Sequence, residues 1–189
     1  IGVAEEHQAG PLCRDAASSF GQIPEEAVAR LCQQVNFELG DDVLAALKEA
    51  QRNEASSLGR EILGQLIENA GIAQQESLPL CQDCGVAVVF LEVGQDVHVT
   101  GGDLSAAVIE GVRWGYTQGY LRKSMVNQPF SARKNTGDNT PPVIHTEIVP
   151  GNRLKISYMA KGAGSENMSR LAMLKPAEGR EGLIEFVVR

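Results

Sequence analysis

Apolar residues in the first third of the chain recur at spacings of three and four. From Pro24, the positions Val28, Leu31, Val35 and Leu39 form one such series, with Glu25 and Glu26 in the opening turn where a helix N-terminus favours acids. After Gly40, Asp41 or Asp42 is expected to cap a second helix carrying Val43, Leu44, Leu47 and Ala50. Ser56 or Ser57 is expected to begin a third, with Leu58, Ile62, Leu63, Leu66 and Ile67 on its apolar face and Gly71 at its end. Residues 1–23 contain Gly10-Pro11 and Ser18-Ser19-Phe20-Gly21 but no sustained period, and read as a variable arm.

Beyond residue 78 the pattern changes. Val86 to Val93 is a strand candidate, followed near Gly94 by a turn and a shorter Val97-His98-Val99 strand. Gly101-Gly102-Asp103 leads into a helical series of Ala106, Ile109, Val112 and Tyr116, in which Gly111, Gly115 and Gly119 permit close backbone contact. Glu110, Arg113 and Gln118 interrupt that surface, so the glycine repeat is not a lipid signal. Val143 to Val149 and Leu154 to Met159 are expected to form a hairpin around Pro150-Gly151-Asn152. The order predicts an α+β fold: a helical part at 24–77, then a β-rich part with interspersed helices at 78–189, without internal repeats.

At 189 residues, 43% of them hydrophobic, the chain is long enough for one substantial core or two small lobes. Its net charge of -7, from 24 acidic and 17 basic side chains, gives no general attraction to nucleic acid or to an anionic membrane. No apolar run is as long as a transmembrane helix, and the first residues lack the order of a secretion signal. Four cysteines beside an adequate core fit a reducing compartment, and the cytoplasm is the expected location.

Chemistry concentrates in four segments. Cys81-Gln82-Asp83-Cys84-Gly85 holds a Cys-x-x-Cys pair, which reads as a dithiol, as half of a metal site, or as ordinary buried cysteine. Cys13 and Cys32 lie far upstream and make no second pair, which argues against a four-cysteine zinc ribbon. Arg122-Lys123-Ser124 offers a bidentate fork and a mobile point charge for a carboxylate or phosphate, or else a solvated basic helix end. His98 and His145 sit in alternating strand sequence and read as packed or surface residues rather than bases. The stretch from Asn135 to Pro142, dense in turn-forming residues, is either an elaborate loop or a pocket wall. Lys161-Gly162-Ala163-Gly164-Ser165-Glu166-Asn167 lacks Walker A spacing and the dinucleotide fingerprint, but its small residues can turn backbone N–H groups and Ser165 toward an anion.

Five ordered motifs carry a family resemblance: LPLCQDCG from Leu78, GQDVHVTGG from Gly94, GVRWGYTQGYLRKS from Gly111, NTGDNTPPVIH from Asn135 and KGAGSENMS from Lys161. Together they resemble the N-terminal part of the alpha subunit of class I iron–sulfur fumarate hydratases, a family that includes L-tartrate dehydratase. The resemblance runs from Pro24 to Arg189. Where family members typically read Cys-Gln-Asp-Thr-Gly, this chain has Cys84 in the fourth position, and the resemblance gives that thiol no standard role.

The resemblance implies a dicarboxylate substrate and a 4Fe–4S cluster held by three cysteines with one iron open to substrate. Only Cys81 matches a cluster ligand. By the same resemblance Gln82 and Asp83 flank the substrate as candidate catalytic groups, Arg122 pairs with a substrate carboxylate, and Gly164 gives a backbone contact to the anion. Lys161 and Ser165 are supporting residues, while Asn135, Thr136 and Asp138 shape the pocket. The expected partners are a missing alpha-subunit segment and a beta subunit or C-terminal beta domain in an oligomer, and the isolated chain is expected to lack both cluster and activity. Reversible hydration of fumarate to malate is the main functional expectation. L-tartrate dehydration and a non-enzymatic assembly or regulatory role are the alternatives.

Overall fold

A computed structural model describes residues 22–162, 164 and 168–188, with side-chain burial described from residue 25 onward. Residues 1–21, within the expected variable arm, and Ser165 lie outside the described residues.

Three helices come first: α1 (Gln22–Phe37), α2 (Asp41–Asn53) and α3 (Ser57–Glu76). Val28 and Leu31 of the predicted apolar series are buried on α1, together with Ala27, Ala29 and Cys32. The capping residue of α2 is Gly40, which makes no side-chain cap, so Asp41 and Asp42 instead occupy the first turn, where their negative charge complements the positive end of the helix dipole. Ser56 caps α3, accepting from Gly59 N at 3.3 Å. Gly71 does not end α3. The helix runs five residues further because Ala70 and Ala73 on either side of Gly71 are buried, and it stops where Ser77 turns left-handed and its N–H reaches Ala73 O.

The rest of the chain contributes β1 (Val86–Gly94), α4 (Leu104–Gln118), a short ribbon of β2 (Val126–Asn127) and β3 (Lys134–Asn135), then β4 (Val143–Val149), β5 (Leu154–Lys161), a 3-10 turn at Pro176–Glu178 and α5 (Gly179–Val188). This is the expected α+β order, a helical stretch followed by a mixed sheet with interspersed helices. The sheet order is β4-β1-β5, with β1 parallel to β4 and antiparallel to β5. The expected hairpin is therefore absent, because β1 lies between its two arms. The connection at 150–153 arches over the end of β1, so close that a Cβ on Gly94 would stand 2.4 Å from Gly151 O. The expected strand at Val97-His98-Val99 does not form either. Gln95 N and Asp96 N already bond Val149 O and Gly151 O, so the turn consumes the acceptors with which an extension of β1 would pair.

Ala87, Val89 and Leu91 of β1 share one sheet face with Leu154, Ile156 and Tyr158 of β5. That face packs on Val28, Leu31 and Cys32 of α1 and on Val108, Val112 and Tyr116 of α4, forming a two-layer core. Glycine makes the helix pair possible: a Cβ on Gly111 would lie 2.6 Å from Glu25 O, and one on Gly115 would lie 2.6 Å from Cys32 Cβ. On the other face Phe90 stacks on His145 with ring centroids 5.1 Å apart, and Lys155 pairs with Glu92 at 3.2 Å.

Candidate active site

The topology gathers the motif loops at one end of the sheet. β1 and β4 begin there, β5 ends there, and the C-terminus of α4 points the same way, so residues 80–85, 121–125, 136–142 and 161–162 become neighbours. Leu80 is fixed from two sides, its N–H on Asn36 O at 2.8 Å and its carbonyl on Asn69 Nδ2 at 3.0 Å. Gly85 closes the loop with φ +66°, and a Cβ there would meet Lys161 O at 2.5 Å. Only glycine suits both the left-handed backbone and that contact.

Between these anchors the two cysteines face different surroundings. Cys81 is exposed; its sulfur accepts from Asp83 N at 3.4 Å and its thiol donates to Gln82 Oε1 at 3.3 Å. Cys84 is buried. Its sulfur accepts the Arg122 N–H at 3.2 Å, and its thiol faces Cys81 O at 3.9 Å. Burial pushes the Cys84 thiol above its ordinary pKa, outweighing the Arg122 N–H that favours the thiolate. An inert packed thiol results, one that organises the Arg122 loop.

The Arg122 side chain is exposed on the same side and donates from Nη1 to Gln82 O at 3.4 Å. Asp83 Oδ1 accepts Gly85 N at 3.0 Å, an Asx turn that orients the carboxylate, and a Cβ on Gly162 would lie 3.5 Å from Asp83 Oδ2. Cys81, Gln82, Asp83, Arg122 and the Lys161-Gly162 end of β5 thus meet. Gly164 is exposed, and among the described residues no atom lies within 4 Å of where its Cβ would stand. Lys161 is partly buried and pairs across the sheet with Val86.

Asn135, Thr136 and Asp138 hold loops together. Asn135 donates to Lys123 O at 2.9 Å and accepts Gly137 N at 2.7 Å, while Thr136 N reaches Met125 O at 3.0 Å. Asp138 Oδ2 accepts Arg113 Nε at 2.9 Å and its Oδ1 accepts both Thr140 N and Thr140 Oγ1. Partial burial acts to raise the Asp138 pKa, but the Arg113 and Thr140 hydrogen bonds prevail and hold it below the usual carboxylate value. His98 is exposed in the loop after β1, and His145 lies on the far sheet face against Phe90.

Sequence reasoning passed over the residues that tie these loops together. The Tyr116 hydroxyl donates to Cys84 O at 2.7 Å, lies 3.3 Å from Gly85 O, and meets the Tyr158 hydroxyl at 3.1 Å. Burial drives both phenols above their ordinary pKa, so they stay neutral. Asn139 is fully buried and bonds two of the loops at once. Its signal was local: an Asn inside Asp-Asn-Thr-Pro tolerates the left-handed φ of 62° found there.

A cleft of about 350 Å³ lies elsewhere, at the N-terminus of α4, lined by Glu25, Asp103 and Glu110 among others. Its acidic lining disfavours a dicarboxylate, and Asp103 is already engaged as the α4 cap through Ala106 N at 2.7 Å.

A family model described as "Fumarate hydratase (Fumerase)" matches residues 25–189. The chain belongs to this family, the class I iron–sulfur hydratases. It is 36% identical over 168 residues to the "Putative L(+)-tartrate dehydratase subunit alpha" of Methanocaldococcus jannaschii, covering 86% of this chain and 59% of that protein. The L(+)-tartrate dehydratase subunit alpha of Escherichia coli strain UTI89 is 29% identical over 164 residues, covering 86% of this chain and 54% of its own length. The aerobic class I fumarate hydratase of Escherichia coli strain K12 is 37% identical over 139 residues, covering 70% of this chain and 25% of its own length. The chain therefore spans little more than half of the tartrate dehydratase subunits it matches.

The family's iron–sulfur cofactor can be tested against the donor set. Among the described residues no three His, Cys, Asp or Glu side chains form a group able to hold a metal ion. Cys81 suits a single cluster ligand, being exposed with an N–H on its sulfur, whereas Cys84 is turned into the core. The described donors do not make a complete cluster site. Also among the described residues, no helix is long and apolar enough to cross a membrane.

Proposed function

We propose that this chain supplies the alpha-subunit side of a class I hydro-lyase acting on a four-carbon dicarboxylate. The observation that carries the reading is the meeting of the exposed Cys81 thiol and the Arg122 guanidinium around Gln82. In the complete enzyme a cluster would supply Lewis acidity at the departing or attacking hydroxyl. This chain's residues bind and orient. Arg122 presents a planar fork that can take both oxygens of a carboxylate, and Gln82 offers an amide to a hydroxyl or a second carboxylate oxygen. Asp83, with one oxygen committed to Gly85 N, serves orientation, and Gly164 contributes a backbone N–H to the anion. Lys161 and Ser165 support the loop bearing that N–H.

Removing water from L-tartrate or adding it to fumarate demands the same grip on two carboxylates. The longer matches, to tartrate dehydratase alpha subunits, favour L-tartrate over the fumarate reading. A beta subunit or beta domain is the proposed partner and source of the proton-transfer group, with the cytoplasm as the site of action.

The test is kinetic, in the assembled enzyme with cluster content matched. L-tartrate dehydration to the 2-oxo acid is expected to exceed fumarate hydration in kcat/KM. Replacing Arg122→Lys should cost about 1.5–2.7 kcal/mol of transition-state binding, roughly 10- to 100-fold in kcat/KM on the better substrate. Turnover of neither substrate, or equal kinetics for wild type and Arg122→Lys, would refute the reading.

A further inference from the structure

We infer that Asn139 is a positioning residue that sets Arg122 against the Cys81 loop. Its carboxamide is fully buried, and each end meets a complementary partner: Oδ1 accepts Ser124 N at 2.7 Å and Met125 N at 3.1 Å, while Nδ2 donates to Gly85 O at 3.1 Å. The assignment of oxygen and nitrogen follows from those partners, since two N–H groups require an acceptor and a carbonyl requires a donor. One side chain thereby joins the segment after Arg122 to the residue that closes the Cys81 loop.

Nothing regular holds the Arg122 segment. Residues 121–125 are neither helix nor strand; Leu121 N bonds Tyr116 O and Met125 O accepts Thr136 N, and between those two backbone bonds the path is set by side chains of other loops. Arg122 N is on the Cys84 sulfur, and Ser124 N and Met125 N are on Asn139. The two anchors flank the Arg122 side chain. With the carboxamide removed, Ser124 N and Met125 N lose their acceptor and Gly85 O keeps only the Tyr116 hydroxyl at 3.3 Å, which leaves the downstream side on the Asn135–Lys123 and Thr136–Met125 bonds alone; the guanidinium shifts, while Cys81 stays where Leu80 and Tyr116 hold its loop.

The inference rests on the reading of Arg122 as the carboxylate fork, and the experiment separates the two. The assembled enzyme is compared as wild type, Asn139→Gly, Arg122→Lys and the double variant. Glycine keeps the left-handed backbone without strain and deletes the carboxamide together with its methylene. Calorimetry with succinate, a dicarboxylate that carries no hydroxyl to lose, is read beside KM, kcat, cluster absorbance and thermal midpoint.

Asn139→Gly is expected to weaken succinate and raise KM by about tenfold to 100-fold, as misplacement near 1 Å does, with cluster absorbance unchanged. The double variant should bind succinate no more weakly than Arg122→Lys, because both changes act through one guanidinium. Losses that multiply in the double variant, or a lowered thermal midpoint with succinate affinity intact, overturn the inference and leave the Arg122 reading standing. An Arg122→Lys enzyme with unchanged succinate affinity overturns both. Should the glycine variant fail to fold, Asn139→Asp is read in its place: it keeps the acceptor for Ser124 and Met125, sets a carboxylate against Gly85 O, and is expected to weaken succinate in the same way.

Discussion

Replacing glycine by alanine at two helical positions, Gly115 and Gly71, is one chemical change with two opposed expected outcomes. In a helix interior alanine is favoured over glycine by about 1 kcal/mol, because glycine gives up more backbone freedom on folding. At Gly71 of α3 nothing among the described residues lies within 4 Å of the added Cβ, its own helix backbone and chain neighbours aside, so that gain should be realised nearly in full. At Gly115 of α4 the Cβ would lie 2.6 Å from Cys32 Cβ, 2.9 Å from Ala29 O and 3.1 Å from Ala29 Cα. Those atoms belong to the α1 backbone or its first side-chain carbon, so relief requires the helices to part. Overpacking of this kind costs about 1–3 kcal/mol, and its upper half fits a contact without a flexible side chain, leaving a net loss near 1–2 kcal/mol. The two variants should differ by about 2–3 kcal/mol. Urea unfolding of the chain, followed by far-UV circular dichroism with a slope near 2 kcal/mol/M, would place their midpoints about 1–1.5 M apart on opposite sides of wild type. A Gly115→Ala midpoint at or above wild type would show that α1 and α4 are not packed backbone to backbone.

Other outcomes follow from the buried groups. Tyr116→Phe should destabilise by about 1–3 kcal/mol in the same unfolding assay, since Cys84 O and the Tyr158 hydroxyl both lose a buried partner; the Tyr116→Phe/Tyr158→Phe double variant should cost less than the sum of the singles. Burial raises the Cys32 thiol from 9.0 to about 12, so the folded state holds that proton more tightly than the unfolded state; its contribution is complete below pH 9 and should be lost as pH rises through 12, which unfolding midpoints measured across that window would show. A maleimide at neutral pH should label Cys81 in the native chain and spare Cys32 and Cys84 until denaturant is added, as mass spectrometry of the digested peptides can check. Anaerobic incubation of the isolated chain with iron and sulfide should leave no stoichiometric cluster, and iron and sulfide analysis finding one would contradict the donor inventory.

Local pattern carried much of the fold. The apolar run from Val86 predicted β1 to within a residue, and Val143 to Val149 became β4 without adjustment, because side-chain alternation is a property of a few neighbours. Which strand lies beside which is not local. Nothing between Val149 and Leu154 in the sequence says that β1 will lie between them; that follows from β1 and β5 sharing one apolar face under α1 and α4, with Ile144 of β4 packed at its edge. α3 passes through Gly71 for a similar reason, since burial of Ala70 and Ala73 outweighs a weak breaker. The motif loops were visible as composition, and the structure places Arg122 beside Gln82. The residues holding them were not, because Tyr116 read as one more apolar position and Asn139 as one more turn former, and only coordinates reveal three backbone partners around a single carboxamide.

The position of β1 at the centre of the sheet also sets an order of events during synthesis. Both of its hydrogen-bonding edges await strands made later, since β4 begins at Val143 and β5 at Leu154. At about 5–20 residues per second the interval from β1 to β4 lasts seconds, during which Val86 to Val93 would be a nearly charge-free, β-prone segment with no ladder to join. α4 is made inside that interval. Its Val108, Val112 and Tyr116 can cover Val89 and Leu91 on one face, with α1 already available to pack across its glycines. The helix therefore shelters the nascent strand until its neighbours arrive, and a lesion at the α1–α4 contact should appear first as aggregation during expression, before any loss of stability is measured in the purified chain.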